Sequence, residues 1–142
     1  SLRFDEAEHA KALASSFMLS VDNGHATHPN HPEKTDVTNK PVLGGGVLIK
    51  AHAEGAYATD GLSSAVVKTL FDKAGVRHQA FFNRSDVRSG STLGVIAAKA
   101  LGVSCADIGI AQLAMHSACE SFATKDFDIM VDALTAFYTQ NK

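Results

Sequence analysis

One aspartate and three histidines crowd into the stretch Ser20–Lys34, SVDNGHATHPNHPEK, where Asp22 closes an apolar run and His25, His28 and His31 follow at intervals of three. A further imidazole, His116, stands far downstream in QLAMHSACES, at the end of a second apolar segment. Carboxylate and imidazole are the donors of hydrolytic zinc or manganese sites, and strand ends are where α/β folds gather reacting groups. Asp22 and His116 therefore read as half of a metal centre whose other half is not in this sequence. Taken singly, each has a plainer reading. A strand-end aspartate often caps a loop, and one buried histidine is usually satisfied by its neighbours. Together they make the ligand reading competitive, with Glu120, four residues after His116, as the carboxylate that would orient the ring.

The remaining candidates are weaker alone. Residues three apart share a face on a helix, but Pro29 and Pro32 argue against a helix over His25–His31. These rings therefore read as substrate contacts or hydrogen-bond anchors in a loop rather than a compact three-histidine zinc site. Lys50 ends the strand-like run VLIK; facing a pocket it would attract an acidic group, whereas most strand-end lysines are solvated. The polar stretch from Asn83 to Gly90 runs into a helix start at Ser91 or Thr92, whose free N–H groups suit a carboxylate or an oxyanion. The plain alternative is a helix cap with an Arg84–Asp86 surface pair.

The elements that must position these groups alternate. A weak helical period covers Leu2–Ser15. Phe17–Val21 is apolar throughout and reads as a buried strand. Asn23–Gly46 lacks periodicity and is long enough to suggest a functional loop. Val47–Lys50 and Ala56–Ala58 read as strands around a Glu54–Gly55 turn. Helices are expected over Asp60–Ala74, closed by Gly75, over Ser91–Leu101, closed by Gly102, and from about Lys125 to Thr139. Strands fall at His78–Phe82 and Cys105–Ile110. The pattern predicts an α/β fold with a mostly parallel sheet flanked by helices, with an antiparallel edge hairpin.

Composition limits the function classes. The chain has 142 residues, 45% of them hydrophobic and 20% charged, with a formal net charge of −2. That suits one globular domain of ordinary size. No basic stripe favours nucleic acid, and no apolar run reaches the ~18 residues of a membrane span. Cys105 and Cys119 lack C-x-x-C spacing and read as free thiols, which points to the cytoplasm. The chain opens on Ser1 without methionine, in the manner of a processed or partial chain.

Several motifs then occur in one order: HATHPN at His25–Asn30, VLIK and YATD at Val47–Lys50 and Tyr57–Asp60, RSD with GSTLG at Arg84–Gly94, and AQLAMHS at Ala111–Ser117. Together they resemble the aspartyl aminopeptidases, the M18 family of metallopeptidases, from Phe17 onward. The resemblance implies a zinc peptidase-like catalytic domain of the dinuclear-metalloaminopeptidase type, of which residues 1–142 are the C-terminal segment. It implies two divalent ions, zinc with manganese or cobalt as alternatives. Asp22 would ligate one and His116 the other, while Lys50, His25 and His28 bind substrate. The substrate implied is a peptide with N-terminal Asp or Glu. The general-base glutamate and the other ligands would lie upstream of Ser1, so the chain alone is expected to be inactive and to need the N-terminal part of the same enzyme. Homo-oligomeric assembly is also implied. Cys119 stands where that family carries Arg after MHS, and Val95 where it carries Pro. The alternative function is a non-catalytic binding or assembly module lacking the front half of the site.

Overall fold

The computed structural model describes residues 5–139. Among these residues four α-helices and seven strands follow one another as α1 (Glu6–Ala14), β1 (Phe17–Val21), β2 (Gly24–His25), β3 (Val47–Lys50), α2 (Gly61–Ala74), β4 (His78–Phe81), α3 (Leu93–Leu101), β5 (Ser104–Gly109), β6 (Ala111–Leu113), β7 (Ser121–Phe122) and α4 (Thr124–Thr139). The larger sheet has strand order β1-β5-β3-β4. Its β1–β5 and β3–β4 pairs are parallel and its β5–β3 pair antiparallel. A small second sheet, β2-β6-β7, stands beside it.

Side chains alternate between the two faces of a strand, and here the alternation separates oil from charge. One face carries Val47 and Ile49 with Ala106 and Ile108. It packs on Val67, Leu70 and Phe71 of α2 and on Met130 and Ala133 of α4, with Phe17 and Leu19 at its margin. The register places Ser20 opposite Asp107, and Asp107 opposite Lys50. A polar row thus crosses three neighbouring strands on the other face, toward α3 and the small sheet.

The expected helices form where the sequence places them. Asp60 caps α2 in a capping box, its carboxylate accepting from the Ser63 N–H at 2.7 Å and the Ser63 hydroxyl accepting from the Asp60 N–H at 2.9 Å. Gly75 and Gly102 close α2 and α3. α1 is capped by Asp5 and buries none of its residues; Leu2–Phe4 of the expected helix lie outside the described residues.

Two strand expectations are corrected. Ala56–Ala58 forms no strand, because the Ala58 N–H is taken by the buried Asp107 carboxylate instead of a neighbouring strand. The hairpin expected around Glu54–Gly55 is therefore not formed: β3 pairs antiparallel with β5 in the middle of the sheet, while the consecutive strands β6 and β7 form an antiparallel pair at the edge of the small sheet. Phe17–Val21 is a strand, yet an edge strand, half-buried rather than enclosed. Within Asn23–Gly46 the chain forms β2 and a single 3-10 turn at Pro32–Lys34.

Candidate active site

A pocket of about 350 Å3 opens at the C-terminal end of β1, lined by Asp22, His25, Lys50, Tyr57, Ser91, Thr92 and His116 among others. Four of the sequence candidates meet here. Asp22 is delivered by β1: its N–H donates to the Ile108 carbonyl at 2.9 Å, and its side chain remains 61% exposed. The close approach depends on Gly109, where a Cβ would fall 1.9 Å from the Asp22 carbonyl oxygen. No side chain fits in that gap.

Lys50 arrives from β3 with its side chain only 2% exposed. Its ammonium donates to the carbonyls of Asn23 at 3.1 Å and Asp22 at 3.3 Å, and reaches Asp22 Oδ2 at 3.5 Å. It also lies 4.7 Å from the centre of the Tyr57 ring, a cation–π geometry. Burial lowers the Lys50 pKa, while the carboxylates of Asp22 and Asp107 oppose that shift. Lys50 is therefore less a free surface charge than a buried cation aimed by two backbone carbonyls.

Asp107 was not among the sequence candidates. It is fully buried, accepting from the Thr92 hydroxyl at 2.7 Å and from the Ala58 N–H. Its own N–H donates to the Thr59 hydroxyl at 2.7 Å. Thr92 is the N-cap residue of α3, but its hydroxyl serves Asp107 rather than the helix. One carboxylate so braces the two loops that wall the pocket. The available signal was a charge inside the otherwise apolar run Cys105–Ile110, which is costly to bury without partners.

His25 is exposed on β2. Its pKa is lowered by partial burial first, then by His116 and by Lys50. His116 is exposed and takes a left-handed backbone, φ 68°, two residues after Ala114 at φ 56°. Left-handed geometry costs an L-residue roughly 1–2 kcal/mol, and such outliers concentrate at functional sites. The turn is held by the Ser117 N–H donating to the Ala114 carbonyl at 3.0 Å and by Glu120, whose carboxylate accepts from the His116 backbone N–H. Glu120 thus fixes the backbone of His116 and not, as expected, its ring.

The stretch leading into the α3 start also lines the pocket, through Asn83, Ser89, Ser91 and Thr92, whereas His28, Arg84 and Asp86 stand apart from it. His28 lies outside the lining, its ring 5.4 Å from that of His31, and its Nδ1 accepts from the Asn30 N–H. Arg84 and Asp86 form the surface ion pair of the plainer reading, and Arg84 also donates to the Glu33 carbonyl.

Asp22 and His116 offer the oxygen and nitrogen donors that zinc takes. The count is another matter: among the described residues no group of three or more His, Cys, Asp or Glu is arranged to hold a metal ion. The donor chemistry fits zinc, and the donor number falls short of a complete site built from this chain alone.

Residues 2–138 match the family described as Aminopeptidase I zinc metalloprotease (M18). A probable M18 family aminopeptidase 2 of Clostridium novyi is 44% identical over 97% of this chain and 32% of its own length. Among solved structures, a chain of the Ape4 and Nbr1 complex superposes with a TM-score of 0.93 at 32% identity, over 96% of this chain and 26% of its own. The S. cerevisiae mApe1 dodecamer gives 0.83 at 30% identity, over 93% of this chain and 28% of its own. The chain therefore spans about a third of the length of the curated relatives it matches. With the match running over nearly all of its residues, the chain belongs to the M18 family of aminopeptidase I zinc metalloproteases.

Proposed function

We propose that this chain is the C-terminal segment of a catalytic domain that removes N-terminal Asp or Glu from peptides, and that it acts together with the polypeptide making up the rest of an M18 aminopeptidase. The observation that carries the reading is the convergence of Asp22, His25, Lys50 and His116, from separate segments, on one pocket.

Asp22 and His116 would each hold one of two zinc ions, manganese or cobalt being alternatives. Bound metal would supply Lewis-acid chemistry at a water and at the peptide carbonyl. The general-base glutamate would come from the complementary polypeptide. Lys50 selects the acidic first residue: its long 3.5 Å reach to Asp22 Oδ2 gives way to a shorter charge-assisted bond with the substrate carboxylate. The Asn23 and Asp22 carbonyls meanwhile keep the ammonium aimed. His25, its pKa lowered, stands beside that carboxylate as a neutral imidazole, and His28 contacts the peptide farther out. Homo-oligomeric assembly is proposed on the likeness to the mApe1 dodecamer. No helix among the described residues is long and apolar enough to cross a membrane, and we place the activity in the cytoplasm. The short donor count supports a second reading, a non-catalytic binding or assembly module.

The test is to co-express this chain with the unmatched part of the Clostridium novyi relative, add zinc, and assay Asp-, Glu- and Leu-initiated peptides. The expected result is metal-dependent release of Asp and Glu, favoured roughly tenfold or more over Leu, a margin of ~1.4 kcal/mol. Equal release of Leu would overturn the acidic preference. Turnover by the 142-residue chain alone would overturn the need for a complement, and a folded but inactive pair would favour the binding module.

A further inference from the structure

The peptide group that joins Asn23 to Gly24 is held at both ends. Its N–H, on Gly24, donates to the Ile110 carbonyl at 3.0 Å, and its C=O, on Asn23, accepts from the Lys50 ammonium at 3.1 Å. A trans peptide is planar, with N–H and C=O directed to opposite sides. Fixing the N–H on Ile110 therefore aims the carbonyl at Lys50. That aim matters because an ammonium is a compact charge on a flexible stem, so its direction is set by its acceptors. The Asn23 carbonyl is the nearest of them, ahead of the Asp22 carbonyl at 3.3 Å and Asp22 Oδ2 at 3.5 Å.

The half-buried Asn23 side chain secures the same peptide a second time. Its Oδ1 accepts from the Ile110 N–H at 3.3 Å, and its Nδ2 donates to Gln112 Oε1 at 2.6 Å. Gln112 lies on β6 with only 5% of its surface exposed. The plainer account is a latch that holds β2 on β6, since buried polar groups need partners. A backbone ladder already does this: Gly24 and His25 pair with Ala111 and Gln112, and the Ala26 N–H donates to the Gln112 carbonyl at 2.8 Å. What the amide pair adds is a grip on the residue before the ladder begins, and that residue carries the carbonyl on Lys50.

We infer that Gln112, gripping the Asn23 carboxamide, is a positioning residue that sets the preference for an acidic first residue by holding the Asn23 carbonyl on the Lys50 ammonium. The inference rests on the proposed function, in which Lys50 meets the substrate carboxylate. An ammonium has three N–H donors. Two are occupied by the Asn23 and Asp22 carbonyls, which leaves the one now reaching Asp22 Oδ2 to turn to the substrate. With the grip released, the ammonium loses its nearest acceptor and spreads over several directions. Peptides opening on Asp or Glu then bind less well, whereas a first-residue Leu, which makes no bond to Lys50, is indifferent to the change.

The experiment compares Gln112→Met and Gln112→Glu with the parent, in this chain co-expressed with the unmatched part of the Clostridium novyi relative and supplied with zinc. Where that pair does not assemble, a single-chain chimera carrying residues 2–138 in place of the relative's matched segment is used. Met keeps the length of Gln112 without its acceptor; Glu keeps an oxygen that accepts from Asn23 Nδ2. In Gln112→Met the Asp-over-Leu preference in kcat/KM is expected to fall roughly tenfold, through the KM of the Asp-peptide rather than kcat. Lys50 should also lose its protection from acetylation, read by peptide mass spectrometry. Gln112→Glu is expected to keep both the preference and the protection. Should Gln112→Met fail to fold, Asn23→Ser, too short to reach Gln112, removes the grip from its other end and is expected to show the same losses. A folded Gln112→Met that retains preference and protection overturns the inference. So does a loss shared equally by Asp- and Leu-peptides, or one that Gln112→Glu suffers as well, for either marks a structural latch. A parent that cleaves Leu-peptides as readily as Asp-peptides sinks the proposed function instead; Lys50 labelling then decides the grip, upholding it where Met exposes the amine and Glu does not, and overturning it where the variants label alike.

Discussion

Asp107 and Lys50 are the two charges this sheet hides most completely, and they face each other in register across β5 and β3. A buried charge persists only when it is paired and hydrogen-bonded, which makes both side chains sensitive reporters of the site. Asp107→Ala would leave the Ala58 N–H and the Thr92 hydroxyl without their shared acceptor and take away one of the two carboxylates that favour the charged Lys50. It is expected to cost about 3–5 kcal/mol in urea unfolding, with Asp107→Asn losing less because its amide oxygen still accepts. Lys50 makes a prediction of opposite character. Its folded pKa lies below the ordinary 10.5 because burial disfavours the charge. Between that lowered value and 10.5 the unfolded chain binds the extra proton, so stability rises with pH. The stability of the parent relative to Lys50→Met should therefore climb through the alkaline range below 10.5. Paired denaturation curves that stay parallel across that range would contradict the lowered pKa.

At the scale of elements, the loop leading into β3 depends on the far end of the chain. Asp126, buried in the first turn of α4, accepts from the Gly44 N–H at 2.6 Å and the Gly46 N–H at 2.9 Å. Gly46 has φ +94°, and a Cβ there would sit 2.2 Å from the Arg77 carbonyl oxygen, so the loop keeps its path only with glycine. Asp126→Ala strands both N–H groups and is expected to destabilise the fold by roughly 1–3 kcal/mol. Its amide exchange should rise first at Gly44 and Gly46; unchanged exchange there would show that the clamp is incidental. This clamp also marks the limit of what a sequence discloses. Helices α2, α3 and α4 were plain because spacing, caps and closing glycines are local. A carboxylate that organises a loop some eighty residues away leaves no local trace. For the same reason Ala56–Ala58 looked like a strand: its β-like residues said nothing of Asp107 waiting across the sheet. The tiny sheet β2-β6-β7 was missed because two- and three-residue strands carry no period to detect.

For the molecule as a whole, the division between the two faces of the sheet decides what this chain can do unaided. The α2 and α4 face closes an apolar core to which no residue of the pocket contributes. On the other face the pocket gathers four of the residues picked out by type and spacing, although their convergence came from topology rather than from any one motif. Asp22 was legible as a strand-end carboxylate and His116 as an imidazole after an apolar run. The backbone strain at Ala114 and His116 was not, since left-handed alanine has no sequence signature. Metal affinity then turns on donor number. Zinc sites that hold their ion usually draw on three or four protein donors, and the pocket provides Asp22 and His116. Calorimetric titration of the 142-residue chain with zinc should therefore give weak uptake, removed by a mild chelator and reduced by either Asp22→Ala or His116→Ala. Adding the complementary polypeptide should tighten it by at least roughly a hundredfold, ~2.7 kcal/mol. A tight one-to-one site that survives both substitutions but is lost on replacing His25, His28 and His31 would move the metal to the histidine loop and dissolve the pairing on which the site is built.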